Sequence, residues 1–356
     1  MCARHTSLIR LVIAVCALAL LVVAASAEAS VSPPGMPPRG KVLLGMGGTA
    51  ITPVEFDRLT GAQHKIHLVS INWDEGRQGG WEYALMRRFQ EAEAGNYRLM
   101  IHIGPARHDG REGRSPGAVA RGAADRYLID MSHQINASGQ FVYVRPPAEM
   151  NGHWSVWSAY NKNGTRRNAD HSTTSYRQAF IRMTLIARGG DVSVINAALR
   201  RNRMPVLATS ASELPRSGKI AMVFNPQARG APDEPGNMPA AYYPGAAWVD
   251  YVANDLYIQN GRAAWDAQDA MYQRFRAHPF MIAEFAPWGY DDPAFARKMF
   301  AWVAAHPRTV ALMYFNGTGG ETFRLANKPH SLAAYRRAAH AARFQCAGLS
   351  ATSAAC

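Results

Sequence analysis

The sequence predicts a single-domain α/β protein, a (β/α)8 TIM barrel, and three observations carry that expectation. Eight short apolar runs recur along the chain, each close to continuously apolar, and segments with helix signals follow most of them. Strands buried on both faces are what a parallel sheet covered by helices requires. At 356 residues with 48% apolar content, the chain has ample material for one large core. An open doubly wound sheet is the rival. It would favour a phosphate-binding turn after the first strand, where LGMGGTAITP supplies Gly45, Gly47 and Gly48 without the full dinucleotide spacing.

The elements follow in order. Arg4 and Arg10 precede an uncharged run from Leu11 to Ala25 that ends in Ala25-Ser26-Ala27, a pattern signal peptidases accept. The run is shorter than the roughly 20 residues of a spanning helix. Residues 1–27 therefore read as a secretory signal, and the mature protein is expected outside the cytoplasm, extracellular or periplasmic, with no stable membrane insertion. Residues 28–40, rich in proline, serine and glycine, read as a linker without packed structure. The barrel is expected over 41–345, with strands at 41–46, 65–72, 98–104, 140–146, 219–225, 248–257, 279–285 and 309–316.

Helix signals punctuate these strands. Thr52-Pro53-Val54-Glu55 has a cap, an N1 proline and a box glutamate in register, and WEYALMRRFQEAEAG closes on Gly95 as an expected C′ residue. DPAFARKMFAWVAAH, 292–306, opens on Asp-Pro and keeps apolar residues at helical spacing. In the tail, 346–356, Cys346 and Cys356 suit either a local disulfide in an oxidising compartment or an unpaired end.

The formal charge is +13, and loss of the signal takes away two arginines and no acid. Such a balance suits nucleic acid, an anionic membrane or an acidic polymer. The arginines are scattered, however, and no zinc-finger, RNP or basic-zipper spacing occurs, so nucleic acid is not an expected partner. Metal chemistry finds no His-x-His pair on the first strand, while His67 and His102, alone on strands two and three, read more readily as satisfied core residues. A G-x-S-x-G elbow is absent, as is a phosphate loop. No cofactor is expected, and a monomer is.

The acids point to a chemistry. In this fold the site forms at the C-terminal ends of the strands. Glu149 lies just beyond the fourth strand, in VYVRPPAEMNGHW, and Glu284 ends the seventh, in MIAEFAPWGYDD. Two carboxyls at one mouth suit glycoside hydrolysis, with retention of configuration when they stand about 5–5.5 Å apart. Either acid alone reads as a solvated or ion-paired glutamate; the pair at strands four and seven weighs against that.

Three segments carry a resemblance. RPPAEMNGHWSVW resembles the Arg-Pro-x-His-Glu-Met-Asn-Gly-x-Trp signature of glycoside hydrolase family 26, the β-mannanase family. MIAEFAPWG is similar to its seventh-strand Glu-Phe-Gly motif, and YYPGAAWVDYVANDLY to its strand-six element. The resemblance implies Glu149 as acid/base, Glu284 as nucleophile and Tyr257 as a contact of the nucleophile, acting on β-1,4-mannan or on mixed-linkage glucan or β-1,3-xylan. Two positions depart from it: Ala148 stands where the family has histidine, and Ala286 where it has glycine. Loss of the histidine leaves a non-catalytic carbohydrate-binding barrel as one alternative, and the basic balance with the arginines after Trp157 leaves a hydrolase of an acidic exopolysaccharide as another.

Around these acids, Arg145 and Asn151 are candidates to orient the carboxyls or the sugar. Flat aromatic faces stack on the C–H faces of sugars, which makes Trp73, Trp154, Trp157, Trp288 and Tyr314 candidate platforms, two or three of them expected to touch a polysaccharide substrate. The polar insertion between Trp157 and Tyr176 is expected to overhang the cleft, its arginines meeting an anionic chain or water.

Overall fold

The computed structural model describes residues 32–73, 80–107 and 109–353. The expected signal, 1–27, and Cys356 lie outside the described residues. The described residues from Pro34 onward form one compact unit. Its centre is a closed barrel of eight parallel strands: β1 (Leu43–Gly47), β2 (Ile66–Asn72), β3 (Arg98–Gly104), β4 (Val142–Arg145), β5 (Ile220–Phe224), β6 (Tyr251–Ile258), β7 (Phe280–Pro287) and β8 (Thr309–Phe315). Neighbours in sequence are neighbours in the sheet, and β8 pairs with β1 to close it. All eight apolar runs are barrel strands.

Eight helices of eight or more residues stand among the described residues: α1 (Pro53–Thr60), α2 (Gly80–Gly95), α3 (Asp125–Ser138), α4 (Thr173–Arg188), α5 (Val192–Arg201), α6 (Trp265–Arg274), α7 (Pro293–Ala305) and α8 (Pro329–Ala339). The expected signals set several ends. Thr52 and Glu55 form a reciprocal capping box on α1, and Asp292 accepts the Phe295 N–H at 2.9 Å to start α7. At the end of α2 the expectation fails by one residue. Gly95 is the last helical residue and Asn96 takes the left-handed conformation, with φ +57°. Gly95 has a packing reason instead: a Cβ there would fall 2.4 Å from the Tyr97 ring.

Strand alternation divides the core into two layers. Leu68, Tyr143, Ala253, Met281 and Met313 point into the barrel, while Val69, Val144, Val252, Ile282 and Leu312 face the helices. Two strands break the count: β8 near its start, where Thr309 and Ala311 pair with Phe280 and Met281, and β7 near its end. Asn254 and Asp255 of β6 pair with Ile282 and Glu284, and Leu312 and Tyr314 of β8 pair with Ile282 and Phe285. Both neighbours therefore see one extra residue in β7 at 283–284, a β-bulge. Regular alternation from Ala283, which faces inward, would send Glu284 outward; the bulge turns it to the mouth and sends Phe285 to the helix layer.

The base of the barrel corrects the reading of 28–40 as unpacked. Gly35 and Pro37 are buried. Buried Arg98, at the start of β3, donates to the carbonyls of Gly35 (2.8 Å), Ser350 (3.3 Å) and Ser353 (2.6 Å). Tyr143 donates to Gly35 O at 2.5 Å and Tyr251 to Pro34 O at 2.8 Å. Both end segments thus close the barrel at the face opposite the mouth. Cys346 is disulfide-bonded and Leu349 is fully buried.

Candidate active site

At the mouth, β4, β6 and β7 each present a charged side chain to the same space. Arg145, the last residue of β4, is buried and bridges two acids: it donates to Glu284 Oε1 at 2.6 Å and to Asp255 Oδ2 at 2.5 Å. Tyr257, two residues beyond Asp255 and therefore on the same face of β6, donates to Glu284 Oε2 at 2.5 Å. Each oxygen of Glu284 thus has a fixed donor, and the carboxylate is held in one orientation. Burial opposes the Arg145 charge, but Asp255 and Glu284 outweigh it and raise its pKa, so the guanidinium stays charged.

Glu149 approaches from the turn after β4. Its backbone is left-handed, with φ +51°, an unusual conformation for a residue with a side chain, and its N–H donates to Asn225 O at 2.8 Å. The carboxyl accepts the indole N–H of Trp154 at 2.7 Å and the side-chain amide of Gln227. Burial raises its pKa, and repulsion from Glu284 adds to the rise; the Trp154 hydrogen bond and Arg145 act the other way.

Burial likewise pushes Asp255 well above the usual carboxyl range, against the pull of Arg145. Asp255 Oδ1 is buried with no hydrogen-bond partner among the described residues. With three carboxyls facing one guanidinium, burial and mutual repulsion raise both Glu149 and Asp255 and so favour keeping a proton in the cluster. Glu149, which lines the cleft, is placed to deliver it.

The turn bearing Glu149 has a second anchor. His102, on β3, accepts the Ala148 N–H at Nε2 (3.3 Å) and reaches Ser70 on β2 through Nδ1 (3.2 Å). Burial, with Arg145 nearby, lowers its pKa, so it is neutral and able to accept. Ala148 carries no imidazole of its own, but a histidine from the neighbouring strand touches its backbone. Asn151, fully buried, exchanges two 2.8 Å hydrogen bonds with the Gln227 backbone. It orients Gln227, a residue the sequence reading missed, and makes no approach to the cleft.

Glu284 and Phe315 line both of two cavities that meet at the mouth, one of about 1090 Å³ toward β1, β2 and α2, the other of about 840 Å³ toward β5, β6 and α6. The candidate platforms divide. Trp154 (53% exposed) and Trp288 (45% exposed) line the second arm. Trp157 is 1% exposed, donates to Arg114 O at 2.7 Å and packs on Tyr176, so it braces a loop. Tyr314 is 1% exposed and lies in the helix layer against Phe285 and Phe56. Trp73 packs on Tyr127 and Gly113 and lines neither arm. In the insertion, Arg167 is engaged by the carbonyls of His153, Ser155 and Val156.

No group of three or more His, Cys, Asp or Glu able to hold a metal ion occurs among the described residues. No helix of the described residues is long and apolar enough to cross a membrane.

Comparison with known proteins agrees with this geometry at the level of fold. No family model matches the chain. Among curated proteins, Endoglucanase H of Acetivibrio thermocellus is 24% identical over 299 residues, covering 80% of this chain but 28% of that protein's length. Among solved structures, a modular endo-β-1,4-mannanase of glycoside hydrolase family 26 from Cellulomonas fimi superposes with a TM-score of 0.57 at 16% identity, over 89% of this chain and 76% of that one. A family 26 β-mannanase from Bacteroides ovatus gives 0.55 at 13% identity, over 86% and 90%. The mannanase man26 of Bacillus subtilis gives 0.53 at 17%, over 90% and 95%.

Proposed function

With the barrel of the family 26 β-mannanases as its fold, we propose that this protein is a retaining glycoside hydrolase that cleaves a β-linked polysaccharide internally, with β-1,4-mannan as the first substrate to try. The observation that carries the reading is the pairing at the mouth of Glu149, whose carboxyl is pushed upward, with Glu284, whose two oxygens are fixed by Arg145 and Tyr257. In the first step Glu149 protonates the glycosidic oxygen as Glu284 attacks the anomeric carbon, giving a glycosyl-enzyme. In the second, Glu149 as base takes a proton from water, which displaces Glu284. Arg145 and Tyr257 hold the nucleophile in line before attack and stabilise it as it leaves.

Internal cleavage follows from a cleft that runs on both sides of Glu284, leaving room for chain beyond the cut in each direction. Trp154 and Trp288 offer apolar faces to sugar rings on one side. We also propose export, on the strength of residues 1–27, and action as a monomer. The likeness of the three motifs supports mannan as substrate, while the curated relative's name, an endoglucanase, supports keeping glucan in the trial.

The test is reducing-sugar release from mannan, glucomannan, mixed-linkage glucan and β-1,3-xylan, with Glu149→Ala and Glu284→Ala beside the wild type. Release on one polymer, falling by about 10³-fold or more in both variants, is the expected outcome. Azide added to the Glu284→Ala enzyme should restore turnover of an activated glycoside with inverted product. Binding without release by the wild type would replace the hydrolase with a carbohydrate-binding barrel, the reading that Ala148 motivates.

A further inference from the structure

Away from the catalytic carboxyls, each arm of the cleft carries more positive than negative charge. Toward α2 the lining includes Arg87, Arg88 and Glu91, the one carboxylate meeting both guanidinium groups at 3.1 and 2.8 Å. Toward β6 it includes Arg229, Arg262 and Asp266, with Arg229 on Asp266 at 3.1 Å. Arg229 also comes within 4.0 Å of Asp233, which does not line the arm; Arg262 has no acidic partner among the described residues. The same charge balance recurs on both sides of Glu284, in a chain whose formal charge is +13. At the centre the order reverses, three carboxyls standing against Arg145 alone.

From this alternation we infer that the substrate is a carboxylate-bearing β-glycan, in which neutral sugars occupy the cutting point and acidic residues or acidic side groups lie further out along both arms. The inference rests on the proposed hydrolysis and narrows it. An anionic group at the centre would meet Glu284 and Glu149 and be repelled; one placed further out meets Arg262 on one side and Arg87 and Arg88 on the other. Guanidinium groups suit this role because they pair with carboxylates through two parallel hydrogen bonds. Their partial exposure also lets them draw a polyanion toward the cleft, an attraction that salt weakens.

The experiment separates binding from turnover. Glu284→Gln protein is run in native gels containing xanthan, which carries glucuronate, or the same polymer after carbodiimide reduction of its carboxyls; carboxymethyl- and hydroxyethyl-cellulose form a second matched pair. Retardation by at least one carboxylated polymer should exceed that by its neutral partner by about tenfold at low salt, and the excess should vanish in 0.5 M NaCl. Adding Arg87→Ala and Arg262→Ala should remove most of it, whereas Arg126→Ala with Arg216→Ala, exposed arginines that line neither arm, should not. Equal retardation within both pairs overturns the inference, as does an excess that survives the cleft variants, which would assign it to the general basic surface. Wild-type activity on the neutral panel keeps the two claims apart: hydrolysis with no ionic preference sinks this inference alone, and ionic binding without release from any polymer sinks the hydrolase alone.

Discussion

Trp154 does two things with one side chain. Its exposed ring offers a face to the cleft, and its indole N–H donates to Glu149, favouring the ionised carboxylate. In the proposed mechanism Glu149 acts as general acid only while protonated, and its pKa is raised, so activity should be lost as pH rises through that pKa. Removing a donor that favours the charged form raises the pKa further. In Trp154→Phe the alkaline limb of kcat/KM should therefore move to higher pH, while an aromatic face is kept. A pH profile on a soluble substrate checks this, and a limb moving to lower pH would mean that the hydrogen bond does not govern the acid.

Among the elements, β7 and β8 show what could be read from the sequence and what could not. Both strands were evident as apolar runs, because covering both faces leaves a continuous signature. The facing of their side chains was harder. By its place near the mouth Tyr314 reads as a platform, yet Met313 faces the barrel interior, so alternation sends Tyr314 to the helices and brings Phe315 to the cleft. The same parity was available for Asp255, which shares a strand face with Tyr257 and was missed. Gln227, and the contacts of His102 and Asn151, could not be read, because their partners lie on other strands and loops. The bulge was also invisible, since a run of apolar residues does not say which one is extra. Deleting Ala283 should remove the extra residue, put Glu284 directly after outward-facing Ile282 and so keep it opposite Asp255 on the inward face, leaving both the far-ultraviolet spectrum and hydrolysis near those of the wild type. Loss of hydrolysis in a deletion variant that folds would disprove this register.

The whole molecule separates its stability from its chemistry along the barrel axis. At the base, Arg98 binds the Pro34–Gly35 and Ser350–Ser353 segments through neutral acceptors, with Phe141 beneath its guanidinium at 4.6 Å. Arg98→Ala strands several buried acceptors and should lower the unfolding free energy by about 3 kcal/mol or more. Urea denaturation measures that loss, while kcat at a temperature where the variant is folded should stay within twofold of the wild type. At the mouth the balance runs the other way. Glu149 holds a left-handed backbone and a half-buried carboxyl, and both features favour its replacement where only survival of the fold is scored. Glycine or asparagine would relax that turn. A laboratory evolution campaign that ranks variants by heat resistance alone would thus drift toward silent barrels, and each round would have to be screened on released sugar to keep the acid in place.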